Sequence, residues 1–323
     1  MSSEPSAVAR EVERADERIR PYLAETALLP SPVFGEWLGA EVTFKCEHLQ
    51  PTGSFKVRGA LNKLLSLTEQ QRAEGVVAAS TGNHGAAVAF AARTLATPCL
   101  VFVPETAAPT KVDAIERLGA EIRVFGTDPV EAERRARQVA AETGTSYLSP
   151  YNDLQVIAGQ GTLAAELERQ TGTLDAVIAS LGGGGLVAGV AAYLKDLDKD
   201  VRVIGCSPHN SAVMIESLKA GRILELPSKP TLSDGTAGGI EPGSVTFELC
   251  QALVDEVVTL TEDEIRAAMR RFMDVHHQLI EGAAGVAVAA ALKKGSELAG
   301  QRVAVVLCGS NISLADLQTV LCG

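Results

Sequence analysis

Lys56 lies in the run Glu47-His48-Leu49-Gln50-Pro51-Thr52-Gly53-Ser54-Phe55-Lys56-Val57-Arg58-Gly59-Ala60. A lysine is ordinarily a solvated surface charge. This one follows a Pro-Thr-Gly-Ser turn, stands beside Phe55 and precedes an apolar helical run, Ala60 to Leu65. Burial near an aromatic lowers an amine's proton affinity and leaves a nucleophile able to form a Schiff base with a carbonyl.

A second cluster is Ser180-Leu181-Gly182-Gly183-Gly184-Gly185-Leu186, which follows an apolar run and opens the helix-like stretch Val187 to Leu194. Consecutive glycines can turn backbone N–H groups toward one point, and a helix start adds partial positive charge. The bland alternative is a flexible loop; the strand-loop-helix context favours a phosphate cradle. Gly183, Gly185 and Ala188 also fit a relaxed dinucleotide spacing, but the next strand ends Gly205-Cys206-Ser207, with no acidic residue for a ribose. There is no Walker lysine either. A small phosphate ester suits the loop better than NAD or ATP.

The third cluster, Ser80-Thr81-Gly82-Asn83-His84-Gly85, sits between a strand-like and a helix-like run. Hydroxyl, amide and free backbone donors there suit a carboxylate or a phenolate oxygen, although simple N-capping by Ser80 or Thr81 explains the same residues.

The elements that must position these clusters alternate. Apolar runs at 74–79, 99–103, 121–125, 174–179, 201–206 and 302–307 read as buried strands. Lys111 to Leu118 and Pro129 to Thr143 have helical periodicity. Thr261-Glu262-Asp263-Glu264 has the form of a capping box before an amphipathic stretch, Ile265 to Leu279. The class is α/β, with parallel-rich sheets flanked by helices. The strands fall into two groups, so a two-lobed body is expected, with a large domain of residues 1–68 and 149–323 and a small mobile domain of 69–148. The cleft between them, at the carboxyl ends of strands, is the expected ligand site.

Composition narrows the function classes. A formal charge of -11 over 323 residues repels phosphate backbones and anionic lipid heads, against nucleic-acid or membrane-surface work. No apolar run approaches the ~18 residues of a membrane span. The charged N-terminal run lacks the apolar core of a secretory signal, and six scattered cysteines without a C-x-x-C pair suit a reducing compartment. The expectation is a cytoplasmic protein. No metal site is expected, since His276 and His277 are helix neighbours that point apart.

Taken together, Thr52 to Ala60, Ser80 to Gly85, Ala158-Gly159-Gln160-Gly161-Thr162, the four glycines and Cys308-Gly309-Ser310-Asn311 resemble, in order and over nearly the whole chain, the fold-type II family of pyridoxal phosphate (PLP) enzymes. Within it the serine/threonine dehydratase and serine racemase branch is most similar. Ser149 to Asp153 and Ser233 to Gly239 look like dehydratases assigned to hydroxyectoine breakdown. The resemblance implies a tryptophan synthase beta-like architecture, with the cofactor in the interdomain cleft, and a homodimer.

It also implies roles. Lys56 forms the imine with the cofactor, Phe55 packs on its ring, and Asn83 bonds its phenolic oxygen. Gly182, Gly183, Gly184 and Gly185 hold its phosphate. Ser80, Thr81, Asn83 and His84 grip the substrate carboxylate, and Glu281 stands near the cofactor. Cys308 takes the position that usually offers Ser or Thr to the ring nitrogen; a neutral partner there favours elimination over transamination. Thr81 stands where racemases keep a serine as the second acid-base group. Ser207 and Val213 replace the acidic residues of a divalent-cation site in some relatives, and no C-terminal regulatory domain follows Asn311. Arg134, Arg135 and Asp234 are candidates for contact with the substrate side chain.

The reaction expected is β-elimination from a small hydroxy-amino acid such as L-threonine or L-serine, giving a 2-oxo acid and ammonia. A serine or hydroxyaspartate racemase is the alternative enzyme. A catalytically silent PLP-binding regulator is the alternative of another class, opposed by the retained lysine and carboxylate loop.

Overall fold

The computed structural model describes residues 2–322, and Met1 and Gly323 lie outside the described residues. Ten strands run in chain order: β1 (Leu28–Pro30), β2 (Glu41–Lys45), β3 (Val76–Ala79), β4 (Cys99–Val103), β5 (Glu121–Val124), β6 (Ser146–Tyr147), β7 (Ala176–Ser180), β8 (Arg202–Pro208), β9 (Glu256–Leu260) and β10 (Arg302–Val306). The most apolar of these runs lie deepest. All five residues of β7 are buried, whereas the polar β5 is largely exposed at a sheet edge.

Two sheets form. One has the order β1-β2-β10-β7-β8-β9 and is parallel except for the β1–β2 pair. The other, β5-β4-β3-β6, is parallel throughout and drawn from residues 76–147. Parallel strands need crossover connections, and the intervening helices supply them on the sheet faces. The first 68 residues add β1 and β2 to the large sheet, and these strands carry the chain directly into the Lys56 segment.

Helix limits follow local chemistry. The helix Pro129–Thr143 starts on an Asp128 cap and ends at Gly144 in the left-handed region. The capping box at Thr261 and Glu264 forms on both sides. The helix it opens stops at His276, short of the expected Leu279, because His277 takes a left-handed conformation and ends the ladder. His276 bonds Ser31 Oγ at 2.8 Å while His277 is exposed. Among the described residues, no group of His, Cys, Asp and Glu is arranged to hold a metal, and no helix is long and apolar enough to cross a membrane.

A fully buried ionic cluster joins the Lys56 helix (Lys56–Ser66) to the long helix Leu154–Thr171. Arg58 Nε and Nη2 donate to the two oxygens of Glu47 at 2.7 and 2.8 Å. Its Nη1 and Nη2 donate to those of Glu166 at 2.8 Å, and Nη1 also reaches Thr162 Oγ1 at 3.1 Å. Lys45 adds a 2.6 Å bond to Glu166. Beside the cluster the two helices meet backbone to backbone. A Cβ on Gly159 would lie 2.6 Å from the Gly59 Cα, so the crossing admits only glycine.

Candidate active site

The Lys56 segment is zipped to the loop that follows β10. Phe55 N donates to Cys308 O at 3.0 Å and Ser310 N to Gly53 O at 2.9 Å, with Ser54 and Gly309 bridged between them. Two motifs some 250 residues apart in sequence thereby form one wall. Lys56 begins its helix with no side-chain cap above it, and its Nζ lies 5.2 Å from the Phe55 ring centre. Burial lowers the amine's pKa to about 8, against the opposing pull of Cys308 and Glu281. The Nζ donates to Pro150 O at 2.7 Å.

Ser80 to Gly85 lies at the carboxyl end of β3, where the helix Asn83–Thr94 begins. Ser80 Oγ accepts from Gly82 N at 3.1 Å, and the helix N-cap is Gly82 itself, with no side-chain cap. Capping therefore does not consume the first N–H groups of this helix, which remain donors for an anion. Gly85 is obligatory, since a Cβ there would meet Ser80 O at 2.4 Å. His84 is buried with Nε2 2.9 Å from Leu148 O, an acceptor, so Nε2 holds the proton. Burial and then the nearby Lys56 lower its pKa to about 3, so His84 is neutral. What it offers a carboxylate is its backbone N–H rather than an imidazolium charge.

The glycine loop leaves β7 and enters the helix Gly185–Leu197, whose N-cap Gly184 has φ 89° and no side-chain cap. That helix start likewise keeps free donors. The Tyr151 ring packs against the loop so closely that a Cβ on Gly183 would lie 2.5 Å from it. Thr246 Oγ1 closes the other side on Gly183 O at 2.6 Å.

Glu281 caps the wall between the two sheets. Asn83 Nδ2 donates to its oxygens at 2.9 and 3.0 Å, and Asn311 N donates to Oε2 at 3.0 Å. Burial raises its pKa to about 7, and the Asn83 bond pulls the other way. Cys308 is buried, which pushes its thiol well above the ordinary range, so it stays neutral. Ser54 Oγ and Thr52 Oγ1, on the turn before Lys56, are buried hydroxyls without a partner. A buried unpaired hydroxyl is costly, and two of them beside a low-pKa amine and two uncapped helix starts suit a phosphorylated, oxygen-rich aldehyde.

A family model described as pyridoxal-phosphate dependent enzyme matches residues 19–309. The chain belongs to this family. It is 39% identical over 311 residues to an L-threonine ammonia-lyase of Thermotoga maritima, covering 96% of this chain and 77% of that one. It is 37% identical to a beta-hydroxyaspartate dehydratase of Paracoccus denitrificans, covering 94% and 96%. The structure of maize serine racemase superposes with a TM-score of 0.91 at 31% identity, covering 97% of this chain and 96% of that one. PLP is the family's cofactor, and the parallel-rich two-sheet fold is that of fold type II.

The structure joins Asn83 to Glu281 and to the loop after β10, and that loop to the Lys56 segment, while other residues singled out in the sequence lie elsewhere. Arg134 is exposed, and Arg135 lies over the Phe125 ring, 3.7 Å from Glu142. The arginine of that helix that reaches across is Arg137, 2.6 Å from Glu241 and stacked on Tyr147. Asp234 is engaged by Lys111 at 2.9 Å. Ser207, at the position of a relative's metal ligand, is buried and donates to Leu181 O at 2.5 Å. The sequence reading gave no role to Pro150, Tyr151 or Asn311, although all three lie in motifs it quoted. A backbone carbonyl leaves no signature in a sequence, and the other two are ordinary residue types whose placement is purely tertiary.

Proposed function

We propose that this chain is a dehydratase, eliminating water from a small hydroxy-amino acid such as L-threonine or L-serine to give a 2-oxo acid and ammonia. The observation that carries the reading is the buried Lys56 amine, held on Pro150 O with a pKa near 8, in a chain whose glycine loop and 80–85 loop each open a helix without a side-chain cap. Gly182 to Gly185 would hold the phosphate of bound PLP, Phe55 would pack on its ring, and Asn83 and Cys308 would address its phenolic oxygen and ring nitrogen. Bound PLP supplies an electron sink for the charge left at the substrate α-carbon.

The chain's own groups do the rest. Backbone donors of Ser80 to His84, with the hydroxyls of Ser80 and Thr81, hold the carboxylate. The freed amine of Lys56 takes the α-proton as general base. As the β C–O bond breaks, the β-hydroxyl takes up a proton, balanced by the one that Lys56 removed from the α-carbon, and leaves as water. The enamine product hydrolyses to oxo acid and ammonia. Cys308, neutral at working pH, gives the ring nitrogen no countercharge, which weakens the sink and favours elimination over transamination. Residues 69–148 act as the small mobile domain, closing on residues 1–68 and 149–323; Lys111–Asp234 and Arg137–Glu241 are the ion pairs between them. The working form is a homodimer in the cytoplasm.

A substrate panel of both enantiomers of serine and threonine, with 3-hydroxyaspartate, assayed for oxo acid, ammonia and enantiomer exchange, tests this. Oxo-acid release from an L-hydroxy-amino acid, faster than exchange, is expected. Exchange exceeding release makes the chain a racemase, with Thr81 supplying the second proton. Neither activity, in protein that binds PLP, makes it a silent binder.

A further inference from the structure

Asn311, on the loop after β10, makes three hydrogen bonds of fixed polarity. Its backbone N–H goes to Glu281 Oε2 at 3.0 Å. Its Nδ2 donates to Thr52 O at 2.8 Å and to Asn83 Oδ1 at 2.6 Å. Asn83 returns through Nδ2 to both oxygens of Glu281. The loop closes on itself: Asn311, Asn83 and Glu281 form a three-member ring tied to the turn before Lys56.

The polarity of this ring is set from outside it. Thr52 O is a backbone carbonyl and can only accept, so the facing end of Asn311 must be its amine. The amine's second hydrogen then faces Asn83, whose near end must be its carbonyl oxygen. Asn83 is left with its own amine turned toward Glu281. Space for the arrangement comes from Gly53 at φ 71°, where a Cβ would lie 2.7 Å from Asn311 Oδ1.

We propose that Asn311 is a positioning residue that fixes which end of the Asn83 amide faces the cofactor. The inference rests on the reading that Asn83 addresses the phenolic oxygen of PLP. That oxygen accepts hydrogen bonds, so Asn83 must present N–H and not C=O. An unsecured asparagine amide can turn over about its last bond at little cost. The Asn311 amine opposes the turn at any pH, and Glu281 opposes it when ionised.

Asn311→Asp is the discriminating variant. A carboxylate at 311 sets acceptor against acceptor at both Thr52 O and Asn83 Oδ1, which favours the flipped Asn83. Titration of the apoprotein with PLP, with no substrate present, is expected to show a dissociation constant raised about tenfold, the size of one hydrogen bond to a charged group. The visible band of the bound cofactor and its pH midpoint shift with it. In an Asn83→Ala background the same change has no further effect, because its route runs through Asn83.

Wild-type affinity and spectrum in Asn311→Asp, or a loss that adds fully to that of Asn83→Ala, overturn the proposal. Should Asn311→Asp fail to fold, Asn311→Ala keeps the backbone donor to Glu281 and is expected to shift the band and its midpoint in the same direction, by less. A melting temperature that falls with an unchanged spectrum marks a merely structural role. Because these readouts use no substrate, they stand whether or not the chain proves to be a dehydratase.

Discussion

The Lys56 amine rests on the carbonyl oxygen of Pro150, 2.7 Å away, on the loop that opens the long helix Leu154–Thr171. Donation to a carbonyl spends one N–H and leaves the neutral amine's lone pair free. In the proposed reaction the acceptor would hold the lysine in place as a base, through a backbone atom that substitution cannot remove.

Lys56→Ala is therefore expected to abolish the visible cofactor band and to lower turnover by at least about a thousandfold, the scale of a lost general base. Lys56→Met tests the burial itself. The folded-state pKa lies near 8 and the ordinary value is 10.5, so the apoprotein carries a buried charge penalty at pH 7. Between about pH 8 and 10.5 the unfolded chain holds more protons, and wild-type stability rises through that window. Thermal melts of the apoprotein should show Lys56→Met more stable at pH 7, with the gap closing as pH rises. A constant gap contradicts the lowered pKa.

Glu281 has the opposite sign of shift for a carboxyl. Its folded pKa near 7 exceeds the ordinary 4.5, so the folded state keeps a proton that the unfolded state has lost. Stability contributed by this group is full below about pH 4.5 and falls as pH rises through 7. Glu281→Gln should match wild type in unfolding at pH 4.5 to 5 and exceed it at pH 8. The ionisation near pH 7 should also vanish from its kcat profile. An unchanged profile would sink this assignment.

Cys308→Ser keeps a neutral partner of similar size, so turnover within a few-fold of wild type is expected, the difference of one weak hydrogen bond. Near-total loss contradicts the placement of Cys308 beside the ring nitrogen. Alkylation mapping gives an independent check. At pH 8 iodoacetamide should label the exposed Cys322 and leave the buried, protonated Cys308 untouched.

Arg58 has every N–H committed to Glu47, Glu166 or Thr162 inside the protein. Burial opposes the charge of Glu166, yet Arg58 and then Lys45 outweigh it and hold its pKa at about 2. Arg58→Met leaves the buried Glu47 without its cation, while Glu166 keeps Lys45 and Arg20, and a loss of about 3–5 kcal/mol in urea unfolding is expected. A change below about 1 kcal/mol shows that the cluster is not a net anchor.

The sequence by itself settled the fold class and named the candidate site groups. Alternating buried strands and amphipathic helices admit few arrangements besides parallel sheets, which is why six of the ten strands were legible from apolar runs. Glycine requirements and a lysine after a turn are local constraints, readable because each residue type answers to its own backbone. The short strands β1, β2, β6 and β9 escaped, since two to five residues of mixed polarity carry too little pattern.

Tertiary structure alone decided how the parts work together. That Lys56 meets Pro150 rather than solvent depends on two helices touching at Gly59 and Gly159. That His84 is neutral, the Glu281 pKa raised to about 7 and Asn83 turned one way depends on neighbours from distant segments. Charge state and amide orientation follow from surroundings, through burial and the fixed polarity of hydrogen bonds. Residue order names the groups, and only packing supplies their surroundings.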